Sequence, residues 1–126
     1  MYLIDTNIFL EILLEQTKKD LCKDFLDTHG GQISLSDFSL HSIGVILFRH
    51  DHKEVFEKFA KDVLPKTKIV TLSKTAYEEL PDAAANFRLD FDDLYQFKVA
   101  QEYGLIIVTI DRDFENVQHE IQIIFL

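Results

Sequence analysis

Short apolar runs alternate with longer segments of helical periodicity along the chain. Each apolar run predicts a strand, at residues 1–4, 32–35, 68–72, 105–109 and 121–126. Between the runs, apolar residues recur every three to four positions, which predicts helices over about 6–13, 18–29, 37–48, 51–64, 73–87 and 92–103. This alternation predicts an α/β fold of three layers, α/β/α, in which helices cover both faces of a central, mostly parallel sheet.

Polar residues at the helix starts supply caps for several of these helices. Ser36 or Asp37 is expected to cap the third helix, Asp51 the fourth, and Asp92 or Asp93 starts the last. The third helix is apolar almost all round, and we therefore expect it to be the most buried.

Length and composition indicate one globular domain. The 126 residues suffice for a single hydrophobic core, so we expect one domain over residues 1–126. The only cysteine, Cys22, excludes an internal disulfide, which favours a reducing compartment. The chain opens without a secretory pattern, and no apolar run approaches the roughly 18 residues of a membrane span. We therefore expect a cytoplasmic protein that does not contact a membrane.

The charge balance is strongly acidic, with a formal net charge of −9. Such a protein is a poor general binder of nucleic acid, because Lys and Arg supply most of the non-specific affinity for phosphate. Two explanations remain open. Part of the negative charge belongs to a metal site that is neutralised in use, or an acidic face meets a basic protein partner.

Three aspartates stand where an open parallel sheet binds ligands. Asp5 follows the first strand, Asp111 lies two residues past the fourth strand, and Asp93 opens a helix. Ligand sites form at the carboxyl ends of strands where strand order reverses, so these acids meet if strands one and four are neighbours. Taken singly, each acid is better explained as a helix cap. Together they favour a site for Mg²⁺ or Mn²⁺, because a cation removes the repulsion between adjacent carboxylates.

The segments that carry these acids have a recognisable order. They are Leu3-Ile4-Asp5-Thr6-Asn7, Phe91-Asp92-Asp93-Leu94 and Val108-Thr109-Ile110-Asp111-Arg112-Asp113-Phe114. Together they resemble the PIN domain, the nuclease fold of the VapC-type toxins. The family opens with an apolar strand running into Asp-Thr-Asn or Asp-Thr-Ser. It has a later helix that begins with an Asp followed by small or apolar residues, and then a Thr-x-Asp-x-Asp-Phe segment. The resemblance covers nearly the whole chain.

The resemblance implies a parallel sheet between helices and a ribonuclease that depends on Mg²⁺ or Mn²⁺. Its substrate would be single-stranded RNA, cleaved by metal-activated water, and an antitoxin protein would hold the toxin in check. By position, the metal-binding and catalytic acids are Asp5, Asp93 and Asp111. Supporting residues implied by the same match are Thr6 or Asn7, which orients the first acid or a water, with Thr109 and Asp113.

The chain departs from the family in the helix after the second strand. PIN domains usually carry a Glu early in this helix, and here that position falls on His41 or Ser42. Asp37, at the end of the second strand, is the nearest acid that could replace it. His41 either binds a softer metal or a phosphate, or is a partly buried structural histidine. Because this Glu is missing, the alternative function is that of a degenerate, non-catalytic module that binds RNA or protein.

Contacts with RNA and with protein partners are less well marked. Basic residues are scattered, and Arg112 is the best candidate for an RNA contact because it lies in the Asp111 turn. Exposed apolar helix faces and a final strand at a sheet edge suit either a homodimer or an antitoxin peptide. A flavodoxin- or receiver-like signalling domain also places acids at strand ends, but the chain has no phosphate-binding loop.

Overall fold

A computed structural model describes the whole chain, and its centre is a sheet of five short strands. The strands are β1 (Tyr2–Ile4), β2 (Ile33–Ser36), β3 (Lys68–Val70), β4 (Ile106–Thr109) and β5 (Ile123–Phe125). Their order across the sheet is β3-β2-β1-β4-β5, and every neighbouring pair is parallel. The predicted parallel sheet is therefore confirmed, and each strand overlaps an apolar run of the sequence.

The helices fill the intervals between strands. They are α1 (Thr6–Leu13), α2 (Lys19–Thr28), α3 (Asp37–Arg49), α4 (Lys53–Asp62), α5 (Lys74–Tyr77), α6 (Leu80–Phe87) and α7 (Phe91–Tyr103). Two 3-10 helices, Leu64–Lys66 and Arg112–Val117, complete the fold. None of the helices combines the length and the apolar character that crossing a bilayer requires.

Both faces of the sheet are apolar, and each face is covered by helices. Successive residues of a strand point to opposite faces, so Leu3 enters one core and Ile4 the other. In β4, Ile107 and Val108 divide in the same way. Helices α1 to α4 pack on the face of Ile4, and α5 to α7 pack on the face of Leu3. The result is the expected three-layer α/β/α arrangement.

Helix α7, and not α3, is the most buried helix, contrary to the prediction from sequence. It packs on β4 and is covered by α6, so it is enclosed on several sides. Helix α3 contacts α1, α4 and β2 but leaves an open groove, and its Phe48 is 51% exposed. Three residues of α3 are buried, Ser39, Ile43 and Leu47. Six residues of α7 are buried, Leu94, Tyr95, Gln96, Phe97, Val99 and Ala100.

The cap of α7 also differs from the prediction. Asp90 caps this helix by accepting a hydrogen bond from Asp93 N at 3.0 Å, whereas Asp92 and Asp93 lie in the first turn. The side chain of Asp93 accepts no hydrogen bond and forms no ion pair within the chain, so its carboxylate is free for another role.

Two further helix starts were resolved by the backbone. Ser36 caps α3, since its Oγ accepts from Ser39 N at 3.0 Å. Asp51 does not cap α4; it has φ of 59° in the turn between α3 and α4, and the helix begins at Lys53. An aspartate tolerates this left-handed conformation better than most residues, which explains its place in the turn.

Candidate metal centre

A crevice opens at the carboxyl ends of β1 and β4, which pair in parallel. From β1 the chain builds one half of the sheet through β2 and β3, and then the other half through β4 and β5. Strand order therefore reverses between β1 and β4, where open α/β sheets bind ligands. The cavity measures about 250 Å³, and Asp5, Asp93 and Asp111 all line it. The structure thus brings the three predicted acids to one place.

Asp5 lies at the buried side of the crevice and is only 7% exposed. Its Oδ2 accepts from Thr109 Oγ1 at 2.7 Å. Its Oδ1 accepts from Thr6 N at 2.9 Å and from Gln96 Nε2 at 3.3 Å. Burial raises the pKa of Asp5, while the hydrogen bonds from Thr109, Gln96 and Thr6 act to lower that pKa. These donors fix the carboxylate, and they leave one of its roughly four lone-pair positions for a ligand.

A second group of acids lies nearer the surface. One carboxylate oxygen each from Asp93, Asp111 and Asp113 lie within 4.8 Å of one another. Asp111 is held in place because its Oδ1 accepts from Asp113 N at 2.9 Å, which caps the 3-10 helix. Asp113, expected in a supporting role, therefore lies in one cluster with Asp93 and Asp111. Asp5 lies deeper in the crevice than this cluster.

The charges in the crevice suit a hard divalent cation. The pKa of Asp93 is raised to about 8, first by burial and then by the charges of Asp90, Asp111, Asp5 and Asp113. A cation bound among these carboxylates would relieve that repulsion and release the proton of Asp93. The donors are all carboxylate oxygens, the ligands that Mg²⁺ and Mn²⁺ prefer.

An amide oxygen adds to this set of donors. Asn7 lines the same crevice, and its Oδ1 is buried without a hydrogen-bond partner. Buried polar atoms are normally paired, so an unpaired carbonyl oxygen beside carboxylates is a further oxygen available to a cation or its water. The residues present therefore fit Mg²⁺ or Mn²⁺.

Without divalent cations, the protein should lose stability as the pH rises from about 4 towards 8. Folded Asp93 keeps its proton up to about pH 8, whereas an unfolded aspartate loses it near 3.9. In that window the folded state binds more protons than the unfolded state, so the free energy of unfolding falls with pH. Urea unfolding in EDTA at several pH values measures this slope. Asp93→Asn should flatten this slope. Asp24→Asn, an exposed control in α2, should leave the slope unchanged. Equal slopes in the wild type and both variants would contradict the raised pKa of Asp93.

Thr109 connects the buried Asp5 with Asp111 of the cluster nearer the surface. Its Oγ1 donates to Asp5, and the same oxygen accepts from Asp111 N at 2.9 Å and from Asn7 Nδ2 at 3.4 Å. Thr6 meets Asp5 through its main-chain N–H, and its hydroxyl donates to Ser39 Oγ at 2.9 Å. The expected supporting residues Thr6, Asn7 and Thr109 therefore all lie at the crevice.

Three other candidates lie elsewhere. Asp37 and His41 line the groove between α3 and α4, and Asp37 Oδ1 accepts from Tyr95 Oη at 2.6 Å. The side chain of Arg112 is 68% exposed and pairs with Glu115 Oε1 at 3.3 Å. The structure does not bring Asp37 or His41 to the crevice, and it gives Arg112 no contact with the acids.

Ser42 occupies the place on α3 that faces the acids. It lines the crevice, while His41, one residue earlier, lines the groove on another side of the helix. Consecutive helical residues are rotated by about 100°, so only one of the two can face the sheet edge. Helix α3 thus contributes a hydroxyl to the crevice and no carboxylate.

Sequence reasoning missed Gln96, which is 1% exposed and contacts the site directly. Its Nε2 donates to Asp5 Oδ1 at 3.3 Å and to Ser39 Oγ at 2.8 Å, and its Oε1 accepts from Ser36 Oγ at 2.7 Å. The available signal was its spacing of three residues after Asp93, which places both side chains on the same side of α7. Asp92, considered only as a helix start, also lines the crevice.

Solved structures with the same fold include toxin–antitoxin proteins. VapBC from Salmonella typhimurium, in a DNA-bound structure, has a TM-score of 0.80 at 15% identity, over 98% of this chain and 96% of that one. VapBC2 from Rickettsia felis, bound to a promoter DNA fragment, has a TM-score of 0.79 at 18% identity, over 98% and 97%. VapC20 from Mycobacterium tuberculosis, a toxin that cleaves the Sarcin-Ricin loop, has a TM-score of 0.77 at 15% identity, over 91% and 93%. At these identities the likeness concerns the fold.

Family assignment rests on the sequence itself. No curated protein sequence matches this chain significantly. The family model described as PIN domain matches residues 2–120, which include every acid of the crevice. The resemblance drawn from the three aspartate segments is confirmed, and the chain belongs to the PIN domain family.

Proposed function

We propose that the protein is an Mg²⁺- or Mn²⁺-dependent endoribonuclease that cleaves single-stranded RNA as the toxin of a toxin–antitoxin pair. The main support is the meeting of Asp93, Asp111 and Asp113 within 4.8 Å, in front of the buried Asp5. Among proteins of the same fold, VapC20 from Mycobacterium tuberculosis is described as a toxin that cleaves the Sarcin-Ricin loop.

The residues that would hold the cation are Asp93, Asp111 and Asp113, together with Asp5 through its one remaining lone pair. A divalent cation bound there supplies an activated water at neutral pH and offsets negative charge on the scissile phosphate. Asp111 is kept in position by Asp113 N and by Thr109, so its carboxylate faces the crevice before any ligand arrives. Preorganised acids of this kind need no rearrangement during the reaction.

Charge explains why the cation is also needed for RNA to approach. The chain has a net charge of −9, and the crevice concentrates several of the carboxylates. A phosphate entering the free crevice would meet like charges, which repel it. A cation held by these carboxylates would lower this repulsion, which supports the first of the two explanations for the acidic composition.

Metal removal tests the function. A labelled single-stranded RNA should be cleaved in the presence of Mn²⁺ or Mg²⁺, should remain intact in EDTA, and should be cleaved again when Mn²⁺ exceeds the chelator. A duplex RNA of the same sequence is the matched control and should resist cleavage. Cleavage that continues in EDTA would contradict the proposal.

The second candidate function is a PIN-like module that binds RNA or protein without cleaving it. The observation in its favour is Ser42, which leaves α3 without an acid at the crevice. RNA that binds in Mn²⁺ but stays intact, for a set of single-stranded sequences, would support this function over the first.

An antitoxin is the proposed protein partner. Structures with the same fold include toxin–antitoxin complexes from Klebsiella pneumoniae and Salmonella typhimurium. An acidic crevice favours a partner that presents basic residues, because charge complementarity steers and aligns protein association. A homodimer and a cytoplasmic location stay predictions from sequence.

A further inference from the structure

We infer that Gln96 is a positioning residue that sets the orientation of Asp5 and thereby the affinity of the crevice for a divalent cation. This inference rests on the proposed function, since it assigns Asp5 to the cation site. It concerns a side chain of α7 that is 1% exposed and that none of the aspartate motifs includes.

The hydrogen bonds of Gln96 fix which end of its amide faces Asp5. Its Oε1 accepts from Ser36 Oγ at 2.7 Å, while its Nε2 donates to Asp5 Oδ1 at 3.3 Å and to Ser39 Oγ at 2.8 Å. Turning the amide over would place its oxygen against the Asp5 carboxylate, and two acceptors repel each other when that carboxylate is ionised to hold a cation. The network therefore allows Gln96 to present only N–H to Asp5.

The network is anchored away from the cation site. Ser36 ends β2 and Ser39 lies in the first turn of α3, and their hydroxyl oxygens are 3.1 Å apart. Thr6 Oγ1 also donates to Ser39 Oγ at 2.9 Å. Gln96 thus links Asp5 to the β2–α3 junction, and its position does not depend on a bound ligand.

Gln96 is one of two side chains that hydrogen bond to Asp5, and the other is Thr109. Each holds a different oxygen, so together they fix the plane of the carboxylate and direct its remaining lone pair. Packing alone would favour an apolar residue here, because Leu94 and Phe97 beside it are buried in the core. The hydrogen bond from the Gln96 N–H to the Asp5 carboxylate explains why a buried amide occupies this position.

Gln96→Met tests this role because methionine keeps the length and approximate volume of glutamine but has no N–H donor. Ser36, Ser39 and Thr6 retain their contacts with one another in this variant. Loss of a hydrogen bond to a metal ligand commonly weakens metal affinity by about 10- to 100-fold. We expect a weakening of that size for Mn²⁺, measured from the free Mn²⁺ signal in electron paramagnetic resonance titrations.

Two comparisons separate positioning from general destabilisation. Gln101→Met changes an exposed glutamine on the same helix and should leave Mn²⁺ affinity unchanged. In an Asp5→Asn background, Gln96→Met should weaken Mn²⁺ binding by less than about twofold further, because coupled residues are non-additive. A purely structural role predicts the full additional loss. Circular dichroism and urea unfolding establish that each variant is folded.

The outcomes distinguish this inference from the proposed function. A wild-type protein that binds no Mn²⁺ would overturn the proposed function, and the inference with it. A wild-type protein that binds Mn²⁺ alongside a folded Gln96→Met variant of equal affinity would overturn the role of Gln96 alone. If Gln96→Met does not fold, Gln96→Asn withdraws the amide from Asp5 while staying polar, and the same weakening is expected; unchanged affinity in that variant would likewise overturn the inference.

Discussion

Asp111→Asn should reduce metal-dependent RNA cleavage by about 100-fold or more while leaving the fold intact. Asparagine retains an oxygen that can accept from Asp113 N, so the turn after β4 keeps its cap. It lacks the negative charge that holds a divalent cation, and loss of a direct ligand should exceed the roughly 10- to 100-fold effect of losing an outer partner. Single-turnover cleavage of a labelled RNA at saturating enzyme measures the loss.

Glu115→Gln is the matched control for this experiment. Glu115 is an acid of the 3-10 helix that Asp111 caps, and it pairs with the exposed Arg112 at 3.3 Å. The change removes one negative charge four residues after Asp111, at a side chain that does not line the crevice. Cleavage should continue in this variant. If Asp111→Asn cleaved RNA as fast as the wild type, Asp111 would not belong to the reaction.

Ser42→Glu should strengthen Mn²⁺ binding and raise the cleavage rate, each by about tenfold or more, because the number of charged ligands tunes cation affinity. The new carboxylate would enter the crevice from α3, which supplies no acid to it. In EDTA the same variant should be less stable than the wild type, because it adds a charge to an acidic site.

His41→Glu provides a close control for Ser42→Glu. It introduces the same carboxylate one position earlier on α3, where the side chain lines the α3–α4 groove. Both changes alter the net charge similarly, so long-range electrostatic effects should be alike. Equal gains in both variants, or no gain in Ser42→Glu, would show that the crevice does not use an acid from this helix.

Local sequence patterns were sufficient for the strands and for the acids at their ends. Apolar runs of four to six residues locate all five strands, and Asp5 and Asp111 follow β1 and β4 closely. The meeting of these acids depends on β1 lying beside β4, a long-range pairing of Leu3 with Ile107. From the sequence, the pairing of β1 with β4 could only be assumed, and the structure shows that the two strands are neighbours.

Rotation about helix axes accounts for what sequence reasoning left open. The choice between His41 and Ser42 depends on which side of α3 faces the sheet edge, and neighbouring residues differ by about 100°. Gln96 was missed for the same reason, because one sequence does not show that a polar residue of α7 faces a strand end. The burial of α7 likewise depends on its packing between β4 and α6, which the composition of the helix does not reveal.

Anomalous diffraction from crystals grown with Mn²⁺ tests the central claim most directly, because it locates the cation relative to the acids. The account predicts a peak in the crevice bonded to carboxylate oxygens of Asp93, Asp111 and Asp113 and to the free lone pair of Asp5. At saturating Mn²⁺, a crevice without a peak, in which these acids instead pair separately with other side chains, would contradict it.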